Sequence, residues 1–412
     1  MLRKLTFILL LIYLFSPLTS QVISQWRGTD RKGIYPGNDL LEKWPLAGPQ
    51  LLWSYDGVGN GYGSPSITSD RIYITGEKDS VEYLFALNHE GHLLWKVPCG
   101  DEWMRSYPGS RSAPTVTDDC IYVCTGLGNL CCFDARNGDR KWSVNLVKDL
   151  HGSFTLHGHA ESPLVDGDKV FLTPGGRDTN VVALDRHSGK LLWVCKGRGE
   201  RPGYNSPILI SLPDRKIVVT FSAYAIMGID ADTGELLWWQ EQDNYAPADR
   251  KPGYGDTHSN SAYFDRGFIY YVAGDGNGAV KLALSADGKS VQQVWRNQAI
   301  DNFMGGFVLA GHSIYTSGFT RKILQSVSTE TGMATDSLKC GNGSLVMAGN
   351  QLYYYTDKGV LNLVSIAGGR LHLVSSFRIT SGAREHFSHP VIDRGTLYLR
   401  HGNTLLAYRI AK

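Results

Sequence analysis

The stretch Val182-Ala-Leu-Asp-Arg-His-Ser-Gly189, followed by Leu191-Leu-Trp193, decides the fold of this chain because close copies of it recur. In the four best copies a tryptophan follows the glycine by four residues: Trp95, Trp142, Trp193 and Trp238. We expect these four tryptophans to be equivalent and mostly buried between neighbouring repeats. Weaker copies lie at residues 282–288, 326–332 and 363–369, and a truncated one lies at 405–408. A period of this kind indicates a repeat architecture rather than a single mixed core.

Each repeat begins with a small residue followed by a short apolar segment. The eight starts are Ser64, Ser112, Ser162, Ser206, Ser259, Gly305, Gly343 and Ser388. They lie about 46 residues apart on average, which is the spacing of propeller blades. Aromatic and β-branched segments follow, and the Asp-x-x-Thr-Gly run predicts a tight turn with the aspartate as cap and the glycine at positive φ. Each repeat is therefore predicted to form a four-stranded antiparallel blade.

The repeats do not close by themselves, because there are eight starts but only seven complete fourth strands. Residues 51–55 read as a fourth strand with no blade before them, and residues 405–409 form the last strand of an incomplete blade. Pairing of these two segments would close the ring and remove the exposed sheet edges. The sequence therefore predicts an all-β, eight-bladed propeller in a single domain, residues 21–412, closed by the N-terminal strand 51–55.

Charge and the N-terminus limit the class of protein. The 412 residues contain 41 Lys plus Arg and 39 Asp plus Glu, and two of the basic residues, Arg3 and Lys4, lie in the first 20 residues. The rest is neutral overall, which argues against a nucleic-acid surface.

The N-terminal segment has the order of a secretory signal peptide: the basic pair Arg3-Lys4, an apolar run over residues 5–15 and the small residue Ser20. We expect residues 1–20 to be removed, the mature chain to be periplasmic or secreted, and no segment of it to span a bilayer.

Seven cysteines occur, so at least one thiol is free. A turn centred between Leu127 and Gly128 would place Cys124 across from Cys131, and we predict a disulfide there. The adjacent pair Cys131-Cys132 occupies ordinary third-strand positions, where a cysteine is typically a small buried hydrophobe. No C-x-x-C pair recurs at the spacing of a zinc site.

The repeat Ala-x-Asp-x-x-Thr-Gly-x-x-x-Trp resembles that of the pyrroloquinoline-quinone (PQQ)-like eight-bladed propeller family, over residues 26–412. The opening Trp26-Arg-Gly-Thr-Asp-Arg is also similar to the start of secreted bacterial members. The resemblance implies the propeller fold. It leaves two functions open, because relatives include alcohol dehydrogenases that bind PQQ and calcium and the propeller lipoprotein of the outer-membrane β-barrel assembly machinery, which binds protein and no cofactor.

Candidate site residues come from the long loops before the first strands, which converge on one mouth of the channel. We expect Arg111, Glu161, Asn205 and His258, each directly before a start, to form a ring there. Nearby polar residues are Arg105, Tyr107, His157, His159, Tyr204, Asp256 and His386. Such a ring predicts either a water-filled funnel with an Arg111–Glu161 ion pair or a site for a polar or anionic small molecule anchored by Arg111.

Two kinds of metal chemistry are conceivable at this mouth. His157, His159 and Glu161 alternate along the chain and would share one face of a strand, but no second cluster completes a metal site, and none is predicted. Glu161, Asn205 and Asp256 have the oxygen ligands that calcium takes in the dehydrogenase alternative. The sequence lacks a C-x-x-C-H haem motif, a P-loop and a serine-hydrolase elbow, which disfavours an enzyme but leaves a quinoprotein dehydrogenase open. The leading hypothesis is a binding or scaffold module of the cell envelope, which takes protein or glycan at its loop face. The alternative is a PQQ- and calcium-dependent oxidoreductase.

Overall fold

The structure is a computed structural model that describes residues 23–242 and 244–412. The predicted signal peptide, residues 1–20, lies outside this range. The described part consists of eight sheets and one short 3-10 helix, Pro247–Asp249. No helix in these residues has the length and apolar character needed to cross a bilayer.

Two strands precede the first complete blade: β1 (Ile34–Tyr35) and β2 (Gln50–Tyr55). Blades 1 to 4 then follow in chain order. Blade 1 comprises β3 (Ser66–Ile67), β4 (Ile72–Lys78), β5 (Val81–Leu87) and β6 (Leu93–Asp101). Blade 2 comprises β7 (Thr115–Val116), β8 (Cys120–Cys124), β9 (Asn129–Asp134) and β10 (Arg140–Asn145). Blade 3 comprises β11 (Leu164–Asp166), β12 (Lys169–Leu172), β13 (Val181–Asp185) and β14 (Leu191–Cys195). Blade 4 comprises β15 (Ile208–Leu212), β16 (Arg215–Phe221), β17 (Ala225–Asp230) and β18 (Leu236–Glu241).

The other four blades complete the ring. Blade 5 comprises β19 (Tyr263–Asp265), β20 (Phe268–Ala273), β21 (Gly278–Leu284) and β22 (Val291–Asn297). Blade 6 comprises β23 (Phe307–Ala310), β24 (Ser313–Gly318), β25 (Ile323–Ser328) and β26 (Ala334–Leu338). Blade 7 comprises β27 (Gly343–Ala348), β28 (Gln351–Thr356), β29 (Val360–Ala367) and β30 (Arg370–Arg378). Blade 8 comprises β31 (Val391–Asp393), β32 (Thr396–His401) and β33 (Thr404–Arg409), with β2 as its outer strand.

The predicted closure of the ring is confirmed. Strand β2 pairs antiparallel with β33, with Leu51 opposite Tyr408 and Tyr55 opposite Leu405. The first and last strands of the propeller thus share one sheet, and the eight-bladed all-β architecture is confirmed.

Tryptophans of the outer strands join neighbouring blades. Trp142 Nε1 of blade 2 donates to the main-chain oxygen of Arg186 in blade 3 (3.0 Å), and a Cβ on Gly189 would lie 2.7 Å from its ring. The same contact is made by Trp53, Trp95, Trp193 and Trp295. Trp238 differs, because it is buried over Gly228 of its own blade and its Nε1 has no partner among the described residues. None of the four predicted tryptophans is exposed, although three are only half-buried.

The cysteine pairing expected from the hairpin of blade 2 is wrong. Cys124 lies opposite Leu130, and Cys131 lies opposite Val123. The loop contains three residues, 126–128, because Thr125 N bonds to Asn129 O at its base (2.9 Å). This slip of one residue sends Cys124 and Cys131 to opposite faces of the sheet. All seven cysteines are free thiols.

A segment before the propeller repeat fills the axis of the ring, and we call residues 23–35 the axial plug. Ser24 bridges to Val116 of blade 2, and β1 pairs in parallel with β27. Blade 7 therefore has five strands rather than the predicted four. The innermost strand of a blade has one edge without a neighbouring strand, and the plug provides hydrogen-bond partners for such edges.

Candidate functional site

Two buried arginines fix the axial plug to the inner strands. Arg27 donates to the main-chain oxygens of Leu345 (2.9 Å) and Phe307 (2.5 Å), in blades 7 and 6. Arg31 donates to carbonyls next to blades 3 and 4, those of Ser162 (2.9 Å) and Pro207 (3.1 Å). Burial lowers the pKa of Arg27 to about 10 and that of Arg31 to about 9. The plug thus ties opposite sides of the ring together and blocks the channel.

Serine hydroxyls link blades 2 to 5 in succession around the plug, which explains the serine at the starts of blades 3 and 4. Ser162 Oγ accepts a hydrogen bond from Ala113 N (2.9 Å), and Ser206 Oγ accepts one from Ser162 N (2.9 Å). Ser261 Oγ accepts the next, from Ser206 N (3.1 Å). The serine of blade 5 that continues this chain is therefore Ser261 and not Ser259.

A funnel with a volume of about 350 Å³ opens on the loop face above the plug. Trp26 of the plug belongs to its wall, and seven of the eight blades contribute the remaining lining. Its aromatic, histidine and methionine side chains are Trp26, Tyr62, Tyr107, His157, Tyr204, Phe303, Met304, Phe319, Phe387 and His389. Arg111 is the one charged side chain in this lining, apart from the histidines.

The Arg111 guanidinium is engaged within its own loop. It forms an ion pair with the buried carboxylate of Glu102 (3.3 Å) and donates to the main-chain oxygens of Ser106 (2.7 Å) and Tyr107 (2.8 Å). Glu102 therefore takes the place of Glu161, the partner expected from the sequence. These contacts hold residues 106–111 in place and leave the funnel with little net charge.

The other three members of the predicted ring are buried outside the funnel. Glu161 accepts a hydrogen bond from Thr173 N (2.9 Å), and burial raises its pKa to about 8. Asn205 lies 3.4 Å from Thr220 Oγ1. His258 contacts Gln242 (2.6 Å), and burial lowers its pKa to about 4. Alternate residues of an extended chain point in opposite directions, so the funnel is lined by neighbours such as Tyr204 and Ser206 instead.

The remaining candidates are divided between the funnel and other places. His157 lines the funnel together with Tyr204, and its Nδ1 lies 2.9 Å from Ser106 Oγ. His159 is buried, and burial lowers its pKa to about 4.

Three further candidates have partners of their own. Asp256 forms an ion pair with Arg201 (2.5 Å), His386 stacks on His401 (3.6 Å between ring centres), and exposed Arg105 lies over the Trp103 ring (5.2 Å). The structure therefore brings Arg111, His157 and Tyr204 together and does not add Asp256, His386 or Arg105 to the funnel lining.

The residues at the channel mouth do not fit PQQ with calcium. Glu161 and Asn205 are buried behind the funnel wall, where they contact Thr173 and Thr220, and the Asp256 carboxylate is paired with Arg201, so each of the three expected calcium ligands already has a protein partner. The charge of Arg111, which would be needed for an anionic quinone, is balanced by Glu102. Within residues 23–242 and 244–412, no three His, Cys, Asp or Glu side chains are grouped as a metal site.

Exposed apolar side chains lie in the loops that form the funnel, and the sequence analysis named only Tyr107 among them. We define the rim as Met104, Tyr107, Phe154, Leu156, Tyr254, Met304 and Phe319, each of which is between 37% and 51% exposed. All seven lie in loops that connect one blade to the next or one strand to the next. The signal that could have found them is the concentration of aromatic residues and methionines in the same long loops that contain Arg111 and His157.

Known proteins share both the repeat and the fold. Quinoprotein ethanol dehydrogenase from Pseudomonas aeruginosa is 30% identical over 158 residues, which is 35% of this chain and 24% of that enzyme. The match thus spans about a quarter of the dehydrogenase. Outer membrane protein assembly factor BamB from Burkholderia pseudomallei is 24% identical over 373 residues, 78% of this chain and 89% of that protein. The crystal structure of BamB from Moraxella catarrhalis superposes with a TM-score of 0.60 at 13% identity, over 87% of this chain and 97% of that one, which supports the fold alone.

The family assignment rests on the repeat itself. The family model described as outer membrane protein assembly factor BamB matches residues 77–335, which contain blades 2 to 5 entire and parts of blades 1 and 6. Because this match covers more than half of the 412 residues, the chain belongs to the PQQ-like propeller family that this model describes.

Proposed function

We propose that this chain is an exported protein-binding module of the bacterial cell envelope and that it holds its partner at the rim and funnel of the loop face. The observation that carries the proposal is the aromatic funnel, open to solvent and surrounded by exposed apolar side chains. Large exposed apolar patches mark interaction surfaces in proteins that are otherwise well packed.

The composition of the site favours a protein partner. Tyrosine, tryptophan, phenylalanine, methionine and arginine are enriched in protein interfaces and form most binding hot spots. The funnel has room for one or two large side chains, and the rim around it supplies the surface that excludes water. Since Glu102 balances the only arginine in the lining, we expect an uncharged aromatic or apolar side chain of the partner to enter.

The relatives agree with this proposal. Two kinds of protein match the chain, and the assembly factors match it over a larger share of their length than the dehydrogenases do. Their name denotes outer membrane protein assembly, which is a protein-binding task in the envelope. The dehydrogenase alternative is not better supported, because the three calcium ligands expected for it are each engaged by protein groups.

Selection from a phage-displayed library of random linear peptides tests the proposal, because such a library requires no identified partner. We expect the selected peptides to share an aromatic or large apolar residue. Their affinity should fall at least tenfold for the double variant Tyr107→Ala/Phe319→Ala, which removes two exposed rim side chains without touching the core.

The matched control is the double variant Leu192→Ala/Trp239→Ala, whose side chains are equally exposed but lie on outer strands. It should bind the selected peptides as the wild type does. Peptides that bind both double variants equally well would place the interaction elsewhere. Selection of peptides without a shared apolar residue, or recognition of glycans in place of peptides, would overturn the proposed occupant.

A further inference from the structure

The histidine that ends β32 is held by both of its ring nitrogens. His401 Nδ1 lies 2.7 Å from the main-chain oxygen of Ser381, and its Nε2 lies 2.8 Å from that of Arg384. A carbonyl oxygen only accepts hydrogen bonds, so each of these nitrogens has to carry a proton. A ring with two N–H groups is the charged imidazolium form of histidine.

The opposite orientation of the ring does not fit these contacts. Turning the imidazole by half a turn would put carbon atoms where the nitrogens are, at 2.7 and 2.8 Å from the two carbonyl oxygens. Contacts of the C–H···O type are longer, about 3.3 to 3.6 Å between carbon and oxygen. The short distances therefore require an N–H group at both positions.

Both carbonyls belong to residues 381–387, a segment between blades 7 and 8 that we call the latch loop. The loop lies directly on His401, because a Cβ on Gly382 would lie 2.7 Å from Nδ1 of that ring. Residues 381–384 are exposed, and Arg384 has a positive φ (71°), which is uncommon for a residue other than glycine. Such a conformation persists only while its surroundings hold it, and His401 contacts the carbonyl of this same residue.

The latch loop also forms part of the funnel wall. Phe387 lines the funnel, and its ring centre lies 5.6 Å from that of Tyr62 and 6.2 Å from that of Tyr107. Tyr62 Oη donates to the Glu385 carboxylate (2.8 Å). The loop therefore connects His401 with three aromatic side chains of the funnel.

A second histidine, from the latch loop, covers the His401 ring. His386 stacks on it with 3.6 Å between ring centres, and its Nδ1 contacts Tyr355 Oη. Burial and the charge of His401 lower the pKa of His386 to about 4, so His386 is neutral above that pH. A neutral ring can stack on a cation, whereas two charged rings at this distance would repel each other. Charged groups around the pair are Arg384 and Glu385 of the loop, Lys358 and Arg378 of blade 7, and Arg400 of β32.

We propose that His401 is a pH-dependent latch, which holds residues 381–387 on the funnel wall while its ring is charged. Histidine changes its charge between pH 5 and 8. When the ring releases one proton to solvent, one nitrogen presents a lone pair to a carbonyl oxygen, and that contact turns from attraction into repulsion. The latch loop is then released, and the binding surface at the funnel loses part of its wall. The control of binding rests on the proposed function, whereas the charge-dependent order of the loop does not.

Hydrogen exchange of the full chain, followed by mass spectrometry, tests the latch without a partner. After correction for the pH dependence of intrinsic exchange, we expect the protection of residues 381–387 to fall about tenfold between pH 5.5 and pH 8, since a hydrogen bond to a charged group is lost. Loop protection that stays constant over this range would overturn the latch.

Variants identify the group that titrates. His401→Gln cannot be charged, so its loop protection should be low and independent of pH. His386→Phe keeps a stacked ring and should retain the pH dependence of the wild type, as should the matched control His312→Gln, which changes an exposed histidine of blade 6. If His401→Gln does not fold, the wild type and His386→Phe still decide the matter, because loss of the pH dependence in His386→Phe would overturn the assignment to His401.

Binding of histidine-free peptides selected at the funnel tests the control of the site. We expect the affinity of the wild type to fall about fivefold between pH 5.5 and pH 8, because part of the lost hydrogen-bond energy is transmitted to the funnel, and that of His401→Gln to stay constant. A constant wild-type affinity beside a pH-dependent loop would overturn the control of binding. Hydrogen exchange decides the latch even where no peptide is selected, so failure of the proposed function is distinguishable from failure of the latch.

Discussion

At five blade junctions a tryptophan of one outer strand packs on the turn of the next blade, whereas at the axis one unrepeated segment contacts many blades. Trp142 joins its own blade 2 to blade 3, and its loss should leave the tryptophan contacts at the other junctions unchanged. Arg31 of the axial plug contacts carbonyls next to blades 3 and 4, and the neighbouring Arg27 contacts blades 6 and 7. The periphery is thus redundant, while the axis concentrates its contacts in a few side chains.

The periphery and the axis also differ in how far their side chains are exposed to solvent. The peripheral tryptophans are half-buried and use neutral hydrogen bonds, so water can replace part of each contact. The axial arginines are buried charges whose carbonyl partners would be left without donors. A substitution at the axis should therefore lower the free energy of unfolding more than a substitution at the periphery does.

The largest effect is expected for Arg31→Ala. Removal of the buried guanidinium leaves several inner-strand carbonyls unpaired, and we expect the free energy of unfolding to fall by about 4 kcal/mol. Chemical denaturation followed by tryptophan fluorescence measures the loss. The control Arg136→Ala removes an exposed guanidinium at a blade turn and should leave the unfolding midpoint unchanged. Equal midpoints for Arg31→Ala and the wild type would contradict a structural role of the plug.

A smaller effect is expected at the periphery for Trp142→Ala. The half-buried indole covers Gly189 and donates one hydrogen bond, so we expect a loss of about 3 kcal/mol. Trp239→Ala, on the exposed face of an outer strand, should cost less than about 0.5 kcal/mol. The same denaturation experiment compares the two. A loss at Trp142 as large as that at Arg31 would remove the proposed difference between periphery and axis.

A third effect, which depends on pH, concerns Glu161, beside the axis. Its pKa rises from 4.5 in the unfolded chain to about 8 in the folded protein, because of burial. Between these values the folded state retains a proton that the unfolded state has lost, so stability falls as pH rises from 4.5 to 8. Glu161→Gln should remove this decline and become more stable than the wild type toward pH 8.

Thermal melts across this pH range measure the Glu161 effect. Exposed Glu235, replaced by Gln, serves as the control and should follow the wild-type profile. A Glu161→Gln variant that is destabilised by the same amount at every pH would mean that the carboxylate acts only as an acceptor for Thr173.

The periphery could be predicted because its signals are local. The turn glycine and the tryptophan four residues later belong to one hairpin, so spacing alone fixes their relation. Counting starts against complete fourth strands also sufficed to predict that residues 50–55 close the ring. Local spacing did not predict the register of the hairpin in blade 2. Its loop has three residues, so Cys124 lies opposite Leu130 and on the other face of the sheet from Cys131.

The candidate site was predicted only in part. Arg111, His157 and Tyr204 do line the funnel, because loops before the first strands meet at the channel mouth. Glu161 and Asn205 lie in the same loops but on the other side of the chain. The sequence locates such loops, but it does not show which of two alternating directions each side chain takes.

By itself, the sequence determined the fold class, the number of blades, the closing strand and three of the four tryptophans expected between blades, because the repeat and its fixed spacings can be read directly along the chain. The tertiary structure alone decided that residues 23–35 fill the axis, that Glu102 balances Arg111, and that aromatic side chains from distant blades form one funnel. Those contacts join residues far apart in the chain, 318 positions in the case of Arg27 and Leu345, and no local spacing specifies them. Only closure of the ring brings them within reach of each other.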